Sequence, residues 1–206
     1  MDKLFGWFGL PGGIVLTALL SAFALVRALL DPTPVHLICF AAMAFSTAGD
    51  IFLAHLKRLT DRFKHCFEIG AVLFMISHVL YTLCYGMKLR MQGAILPNGG
   101  TVLAVLLGIL SAATLITLAV RTERTRHLPL ALIYLGIIML NCTTVLTFAC
   151  PQLLSSFSAV CAALGVLSFM LSDFIIGLGL AGRQHRYDAL IWWFYPIGQI
   201  LLILGA

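Results

Sequence analysis

Two aspartates lie inside long uncharged stretches of the sequence. Asp50 follows an uncharged run over residues 32–49, and Asp173 is the only formal charge in GVLSFMLSDFIIGLGLAG. An ionised carboxylate in hydrocarbon costs at least about 2.5–3.5 kcal/mol, whereas burial and a neighbouring negative charge both favour the protonated form of a carboxyl group. The pair is therefore suited to acid–base chemistry in which a protonated carboxyl group donates a proton. The alternative, a role only in joining helices, is weaker because uncharged serine or asparagine serves it at a lower energetic cost.

A third stretch, EIGAVLFMISHVLYTLCYG, carries polar side chains on one helical face. His78, Tyr81 and Tyr85 are spaced at i, i+3 and i+7, which brings them to the same side of a helix. His78 is the only histidine near the middle of an apolar stretch, whereas a zinc site requires several imidazole or carboxylate ligands close together. We therefore expect no metal and no cofactor.

Later apolar stretches add further polar groups. Asn141 lies near the middle of one stretch, and Tyr195 and Gln199 are one helical turn apart in LIWWFYPIGQILLI. The spacing places the last two on one face of their helix. We predict that one polar cavity is lined by Asp50, His78, Asp173 and Tyr195.

The composition indicates which elements carry these residues. The chain has 206 residues, of which 61% are hydrophobic and only 10% are charged, against about 25% charged in an ordinary soluble domain. We therefore expect an all-α, polytopic transmembrane helix bundle that forms a single domain over residues 1–206. Each crossing of the hydrocarbon takes about 20 apolar residues. The uncharged stretches predict seven spans, at about 10–30, 34–56, 66–86, 99–120, 128–148, 153–181 and 187–205.

Basic residues test this arrangement, because cytoplasmic loops are rich in lysine and arginine. With seven alternating spans, ten of the 13 basic residues fall on one side and only Arg27, Lys88 and Arg90 on the other. We therefore place the N-terminus in the cytoplasm and the C-terminus outside. The basic residues lie in short scattered loops, which argues against binding to nucleic acid. The sequence AFA at residues 22–24 resembles a signal-peptidase site, so cleavage of the first span stays an alternative to its retention.

A short internal similarity leaves a second function open. AGDIFLA (48–54) and LSDFIIG (171–177) share a small residue, an aspartate, three apolar residues and another small residue. Three helices, a linking helix and three more helices would form a parallel repeat of the kind seen in small transporters. A transporter of a small solute or a lipid, with an intramembrane aspartate pair, is therefore the alternative function.

Four motifs make the sequence similar to the YhhN family, whose animal members are lysoplasmalogenases. The motifs are GDIFL (49–53), ISHVLYTL (76–83), SD (172–173) and YPIGQ (195–199), and their order and spacing agree from about Pro34 to the end of the chain. Members of the family usually have eight helices, with a lysine–proline pair opening the second. This sequence has Leu10-Pro11 near that point, and we expect it to lack the first helix of the family. The resemblance implies a multi-pass protein of a bacterial inner membrane.

The resemblance also implies a reaction, the hydrolysis of the vinyl ether of a lysoplasmalogen to a fatty aldehyde and glycerophosphoethanolamine or glycerophosphocholine. A vinyl ether breaks after its β-carbon is protonated, which leaves an oxocarbenium ion that water captures. Glycosidases use two carboxyl groups for a related cation. Asp50 and Asp173 would be the catalytic pair, and the sequence does not decide which of them is the acid.

Binding roles follow from the same resemblance. The partners would be a lysophospholipid substrate and the membrane lipids, with the oligomeric state left open. Lys57, Arg58 and Arg183, at the cytoplasmic rim, would meet the phosphate of the headgroup. The groups expected to hold the substrate or the reacting water are His78, Tyr81, Asn141, Tyr195 and Gln199.

Overall fold

Seven α-helices make up nearly all of the described chain in a computed structural model of the protein. The structure describes residues 10–53, 65–93, 97–123, 128–181 and 188–206, and no strand occurs in these ranges. The helices are α1 (Leu10–Leu30), α2 (Pro34–Leu53), α3 (Cys66–Gln92), α4 (Gly99–Arg121), α5 (Leu128–Ala149), α6 (Phe157–Leu180) and α7 (Asp188–Gly205). The predicted all-α fold and its number of helices are confirmed for this part of the chain.

The apolar character of these helices fits a membrane protein. Within the described residues, six helices are long and apolar enough to cross a membrane, and α7 contributes a shorter apolar segment, Leu190–Gly205. The orientation of the spans and the internal repeat stay predictions.

Local signals determine where several helices begin. Pro34 is the first residue of α2, a position at which the backbone N–H that proline lacks is not used in a helical hydrogen bond. The hydroxyl of Thr33 accepts a hydrogen bond from the His36 N–H at 3.3 Å. The side-chain oxygen of Asn98 caps α4 by accepting hydrogen bonds from the N–H groups of Gly100 and Thr101. Each cap satisfies donors that the first helical turn would otherwise leave without partners.

Two helices differ in length from the predicted spans. α3 continues to Gln92 rather than ending near residue 86, and α6 begins at Phe157 rather than near residue 153. A 3₁₀ helix, Cys150–Gln152, and the N-cap Ser156 separate α5 from α6, because Pro151 cannot continue α5 with an intact hydrogen-bond ladder. Residues 54–56, the predicted end of the second span, lie outside the described residues.

The chain divides into two compact units, Met1–Cys84 and Tyr85–Ala206. Within unit 1, α1 and α2 form a helical hairpin joined through Thr47. Its hydroxyl donates to the main-chain oxygen of Thr17 (3.0 Å) and lies 2.8 Å from the hydroxyl of Ser21. Hydrogen bonds of this kind join helices in lipid, where apolar surface alone gives little driving force.

Unit 2 contains the last turns of α3 and helices α4 to α7. Lys88, near the end of α3, donates to the main-chain oxygens of Gly205 (2.5 Å) and Ala206 (2.9 Å) and to the hydroxyl of Ser158 (3.0 Å). Its ammonium group also lies 4.9 Å from the centre of the Phe148 ring. A cation is favourable beside the carbonyl groups that end a helix, so Lys88 ties α3 to the last turn of α7 and to the start of α6.

Candidate active site

In unit 1, Asp50 lies on the helix pair α2 and α3. Gly49 and Gly70 allow these helices to approach closely, since a Cβ added to either would lie 3.3 Å from the other's carbonyl oxygen. One turn before Asp50, the Ser46 hydroxyl lies 2.8 Å from the hydroxyl of Ser77, and both side chains are buried. Asp50 itself is half-buried. Asp50 therefore lies one helical turn along α2 from a buried polar contact between the two helices.

His78 and Tyr81 belong to the same unit and are both buried, with 1% and 0% of their surfaces exposed. The Tyr81 hydroxyl donates to the sulfur of Met43 at 3.8 Å. The contacts Met43–Tyr81 and Ser46–Ser77 define an antiparallel register of α2 against α3. His78 follows Ser77 directly, so this register places its backbone about one helical turn from the level of Asp50.

In unit 2, Asp173 is buried on α6, with 7% of its surface exposed. The Tyr134 hydroxyl of α5 donates a hydrogen bond to Oδ2 of Asp173 at 3.0 Å. The residues that follow these two in the chain, Leu135 and Phe174, belong to an apolar cluster formed by α4, α5 and α6 or pack against it. The hydrogen bond therefore lies beside an apolar region, where a low local dielectric strengthens such an interaction.

The other predicted site residues of unit 2 lie on α5 and α7. The Tyr195 ring packs edge-on against Phe169, with ring centres 5.3 Å apart, and Phe169 is one helical turn before Asp173 on α6. Asn141 and Gln199 are fully buried. Tyr195 and Asp173 therefore occupy the same region of unit 2.

The predicted site residues are divided between the two units. The prediction that Asp50, His78, Asp173 and Tyr195 line one cavity joins residues of both units and stays a prediction. The basic residues expected to meet the headgroup, Lys57, Arg58 and Arg183, lie outside the described residues. The predicted site residues that belong to unit 1 are Asp50, His78 and Tyr81. The predicted site residues that belong to unit 2 are Asn141, Asp173, Tyr195 and Gln199.

Tyr134 is the residue that the sequence analysis missed. It lies near the start of a predicted span, where a tyrosine is ordinarily an interfacial side chain. The sequence does contain one indication that Tyr134 faces the polar interior. Tyr134 precedes Asn141 by seven residues, so it shares one helical face with that buried amide.

The described site residues offer carboxyl, phenol, imidazole and amide groups for chemistry. Among the described residues no group of three histidine, cysteine or acidic side chains is placed to hold a metal ion. The chemistry that these groups can support is proton transfer and the stabilisation of positive charge beside a carboxylate.

The fold and these residues define a class, the helical membrane proteins with carboxyl groups inside their apolar spans. Residues 13–206, nearly the whole chain, match the YhhN family, and the protein therefore belongs to that family. No curated protein and no solved structure matches the chain.

Proposed function

We propose that this YhhN-family protein is a membrane hydrolase that cleaves the vinyl ether of lysoplasmalogens through Asp50 and Asp173. The observation that carries the proposal is Asp173, an acidic side chain buried inside an apolar helix and hydrogen-bonded to Tyr134. Family membership supports the choice of substrate. Acidic residues inside membrane spans are rare and usually functional, because they are costly to bury.

The reaction requires one carboxyl group to begin protonated and the other ionised. The protonated group donates its proton to the β-carbon of the vinyl ether, which gives an oxocarbenium ion. Water adds to that ion and transfers a proton to the carboxylate, which gives a hemiacetal. The first group then takes the hemiacetal hydroxyl proton while the second protonates the departing glycerol oxygen, so both carboxyl groups return to their starting states and aldehyde and alcohol are released.

A single-chain lipid suits a site among membrane helices. Its alkenyl chain would lie between apolar helix faces, and its phosphate would meet Lys57, Arg58 or Arg183 at the cytoplasmic rim of a bacterial inner membrane. His78, Tyr81, Asn141, Tyr195 and Gln199 would orient the ether oxygen, the water or the carboxyl groups. The proposed reaction uses no cofactor.

The direct test is aldehyde release by the purified protein in detergent. With a lysoplasmalogen carrying an ethanolamine or choline headgroup, we expect free fatty aldehyde and the matching glycerophospho-base in equal amounts. The ester-linked lysophospholipid of the same chain length is the matched control and should stay intact, because it lacks the carbon that is protonated. Absence of aldehyde from well-folded protein with every such substrate would overturn the proposal.

Variants test the two carboxyl groups. Asp50→Asn and Asp173→Asn keep the side-chain shape but remove the ionisable group, so each should lower turnover by at least about 10²–10⁴-fold. Glu68→Gln is the matched control, because Glu68 lies in the first turn of α3 with 47% of its side chain exposed, and it should retain activity. Normal turnover by a well-folded Asp50→Asn protein would rule out the two-carboxyl mechanism.

A transporter of a small solute or lipid remains the second candidate, because AGDIFLA and LSDFIIG place one aspartate in each compact unit. A transporter would leave lysoplasmalogen intact and would move solute or lipid across the bilayer of sealed liposomes. The enzyme needs no sealed compartment, so detergent solution and liposomes separate the two functions.

A further inference from the structure

The SD motif (172–173) contains a buried hydroxyl group that the proposed reaction does not use. Ser172, the residue before Asp173 on α6, is fully buried, and within the described part of the chain its Oγ has no hydrogen-bond partner. A hydroxyl on a helix can bond a carbonyl of its own helix, as Thr82 (2.8 Å) and Thr143 (2.7 Å) do, but Ser172 does not. A buried hydroxyl without a partner is rare and costly, so we expect a ligand that forms hydrogen bonds at this side chain.

The packing of α6 against α7 shows where Ser172 lies. The two backbones approach closely at three pairs of residues, Ala162 with Gly205, Gly165 with Leu202, and Phe169 with Gly198. A Cβ added to the glycine of each pair would lie 2.8 Å from the main-chain nitrogen of the other residue. Each step of three or four residues forward along α6 matches the same step backward along α7, so the helices are antiparallel and the next pair is Ser172 with Tyr195. Ser172 therefore lies on the face of α6 that meets α7.

The opposite segment of α7 contains a backbone acceptor. Pro196 lies inside this helix, and a proline has no N–H to donate to the carbonyl oxygen four residues earlier, which is that of Trp192. Trp192 is three residues before Tyr195, which places both residues on one side of α7. The Trp192 carbonyl group therefore points toward the level at which Ser172 meets α7.

We propose that the Ser172 hydroxyl and the Trp192 carbonyl group bind the water molecule that reacts in the hydrolysis. The inference rests on the proposed function, which requires a water molecule among apolar helices. A buried water makes roughly two to four hydrogen bonds to polar groups. Ser172 can donate to the water oxygen, and the water can donate to the Trp192 carbonyl oxygen. One O–H and one lone pair of the water then remain for the reaction.

These two contacts orient the water for its step. Its remaining lone pair forms the bond to the cationic carbon of the oxocarbenium ion. Its remaining O–H bond breaks, and the proton passes to the ionised carboxyl group. The O–H that donates to Trp192 becomes the hydroxyl group of the hemiacetal, and Ser172 keeps its own proton.

Ser172→Ala tests the hydroxyl in the full-length protein in detergent. Loss of one hydrogen bond to the reacting water should lower kcat by about 2- to 10-fold, with little change in KM because the lipid keeps its contacts. An unchanged kcat would overturn the proposal. A raised KM together with an unchanged kcat would assign the hydroxyl to the lipid instead of the water.

Ser168→Ala is the matched control, one helical turn earlier on α6 at a half-buried position. Both variants gain the same helix propensity from alanine, and Ser168→Ala should keep its kcat. Ser172→Ala should melt no higher than the control, because it loses a hydroxyl that is bonded to water. A higher melting temperature than that of the control is expected only if the hydroxyl has no ligand, and it would overturn the site.

Pro196→Ala tests the carbonyl group of Trp192. Alanine supplies the N–H that occupies this carbonyl oxygen, so the variant should raise the melting temperature and lower kcat. Because both substitutions act on one water molecule, Ser172→Ala and Pro196→Ala together should lower kcat by less than the product of their single effects. Effects that multiply in full would overturn the shared site.

A crystal structure of the full-length protein that resolves ordered water tests the site without substrate. We expect a water oxygen within about 2.5–3.0 Å of the Ser172 hydroxyl oxygen, and none at that position in Ser172→Ala. A wild-type structure without this water would overturn the inference even if the protein releases aldehyde. A wild-type protein that binds the water but releases no aldehyde would overturn the proposed hydrolase instead.

Discussion

The crossing of α6 and α7 provides a sharp test of how this protein holds its helices together. Gly165 and Gly198 lie where the two backbones meet. A Cβ added to Gly165 would lie 2.8 Å from the main-chain nitrogen of Leu202 and 3.1 Å from the carbonyl oxygen of Gly198. Since both contacts are with backbone atoms, no side-chain rotation relieves them. We therefore expect Gly165→Ala to force α6 and α7 apart.

The expected cost follows from these distances. The Leu202 nitrogen must move by about 0.6 Å to reach the 3.4 Å at which ordinary contacts with Cβ begin, and a gap of that size forfeits a quarter to a half of the dispersion energy of each contact that it opens. Overpacking of this kind costs about 1–3 kcal/mol, while alanine gains about 0.5–1 kcal/mol over glycine within a helix. The difference between these two ranges is a loss of about 0–2.5 kcal/mol in the free energy of unfolding for Gly165→Ala.

Gly179→Ala is a matched control on the same helix, because a Cβ added there meets no atom within 4 Å. It should leave stability unchanged or raise it slightly. Thermal unfolding in detergent can be followed with a thiol-reactive dye, since Cys142 and Cys161 are buried and should react only when unit 2 opens. A background of Cys150→Ser removes the thiol that is partly exposed.

Two results would refute this account of the crossing. The first is equal melting temperatures for Gly165→Ala and Gly179→Ala. The second concerns Gly198→Ala, whose Cβ would lie 3.0 Å from the Gly165 carbonyl oxygen. Because one separation of the helices relieves both contacts, the double variant should cost less than the sum of the single variants, and full additivity would contradict that shared cause.

Three further predictions concern stability and orientation. Lys88→Met should lower the free energy of unfolding, measured by thermal unfolding, by about 1–3 kcal/mol, because it removes the contacts of Lys88 with the end of α7. The control Arg90→Met, at an exposed position of the same helix, should change it little. Asn98→Ala should cost about 1 kcal/mol in the same assay, because it removes the cap of α4 and the bond from the Asn98 amide to the Thr147 carbonyl (2.8 Å). A reporter enzyme that functions only outside the cytoplasm should be active when it is fused to the C-terminus. Activity of a reporter that functions only inside the cytoplasm would contradict the predicted orientation.

Length and charge were enough to predict the helices, but not where each one ends. The long uncharged stretches correspond to the seven described helices because a run of about 20 apolar residues has few alternatives to a membrane helix. The end of α3 was placed too early, since Lys88 and Arg90 resemble loop residues by charge alone. In the structure α3 continues past both residues, and Lys88 turns to the carbonyl groups at the end of α7, a partner 117 residues away that no local pattern shows.

The candidate site was predictable only in part for a similar reason. Asp50 and Asp173 stand out in the sequence because charge inside an apolar run is rare. Tyr134 does not stand out, since its contact with Asp173 depends on how α5 is rotated against α6. Sequence spacing gives the depth of a residue along its helix but does not show which helix packs against its face. The hydrogen bond to Asp173 spans 39 residues, and only the packed structure shows it.

Two polar residues of the candidate site lie beside close helix approaches. Asp50 directly follows Gly49, and Gln199 directly follows Gly198. In lipid, small residues let backbones approach so that dispersion and polar contacts hold the helices together, and such a contact fixes the backbone from which the neighbouring polar side chain extends. In the proposed hydrolase, a carboxyl group held on a rigid backbone would keep its geometry toward the substrate, which acid catalysis requires. Gly49→Ala, which brings a Cβ within 3.3 Å of the Gly70 carbonyl oxygen, should therefore lower turnover even under conditions where the protein stays folded.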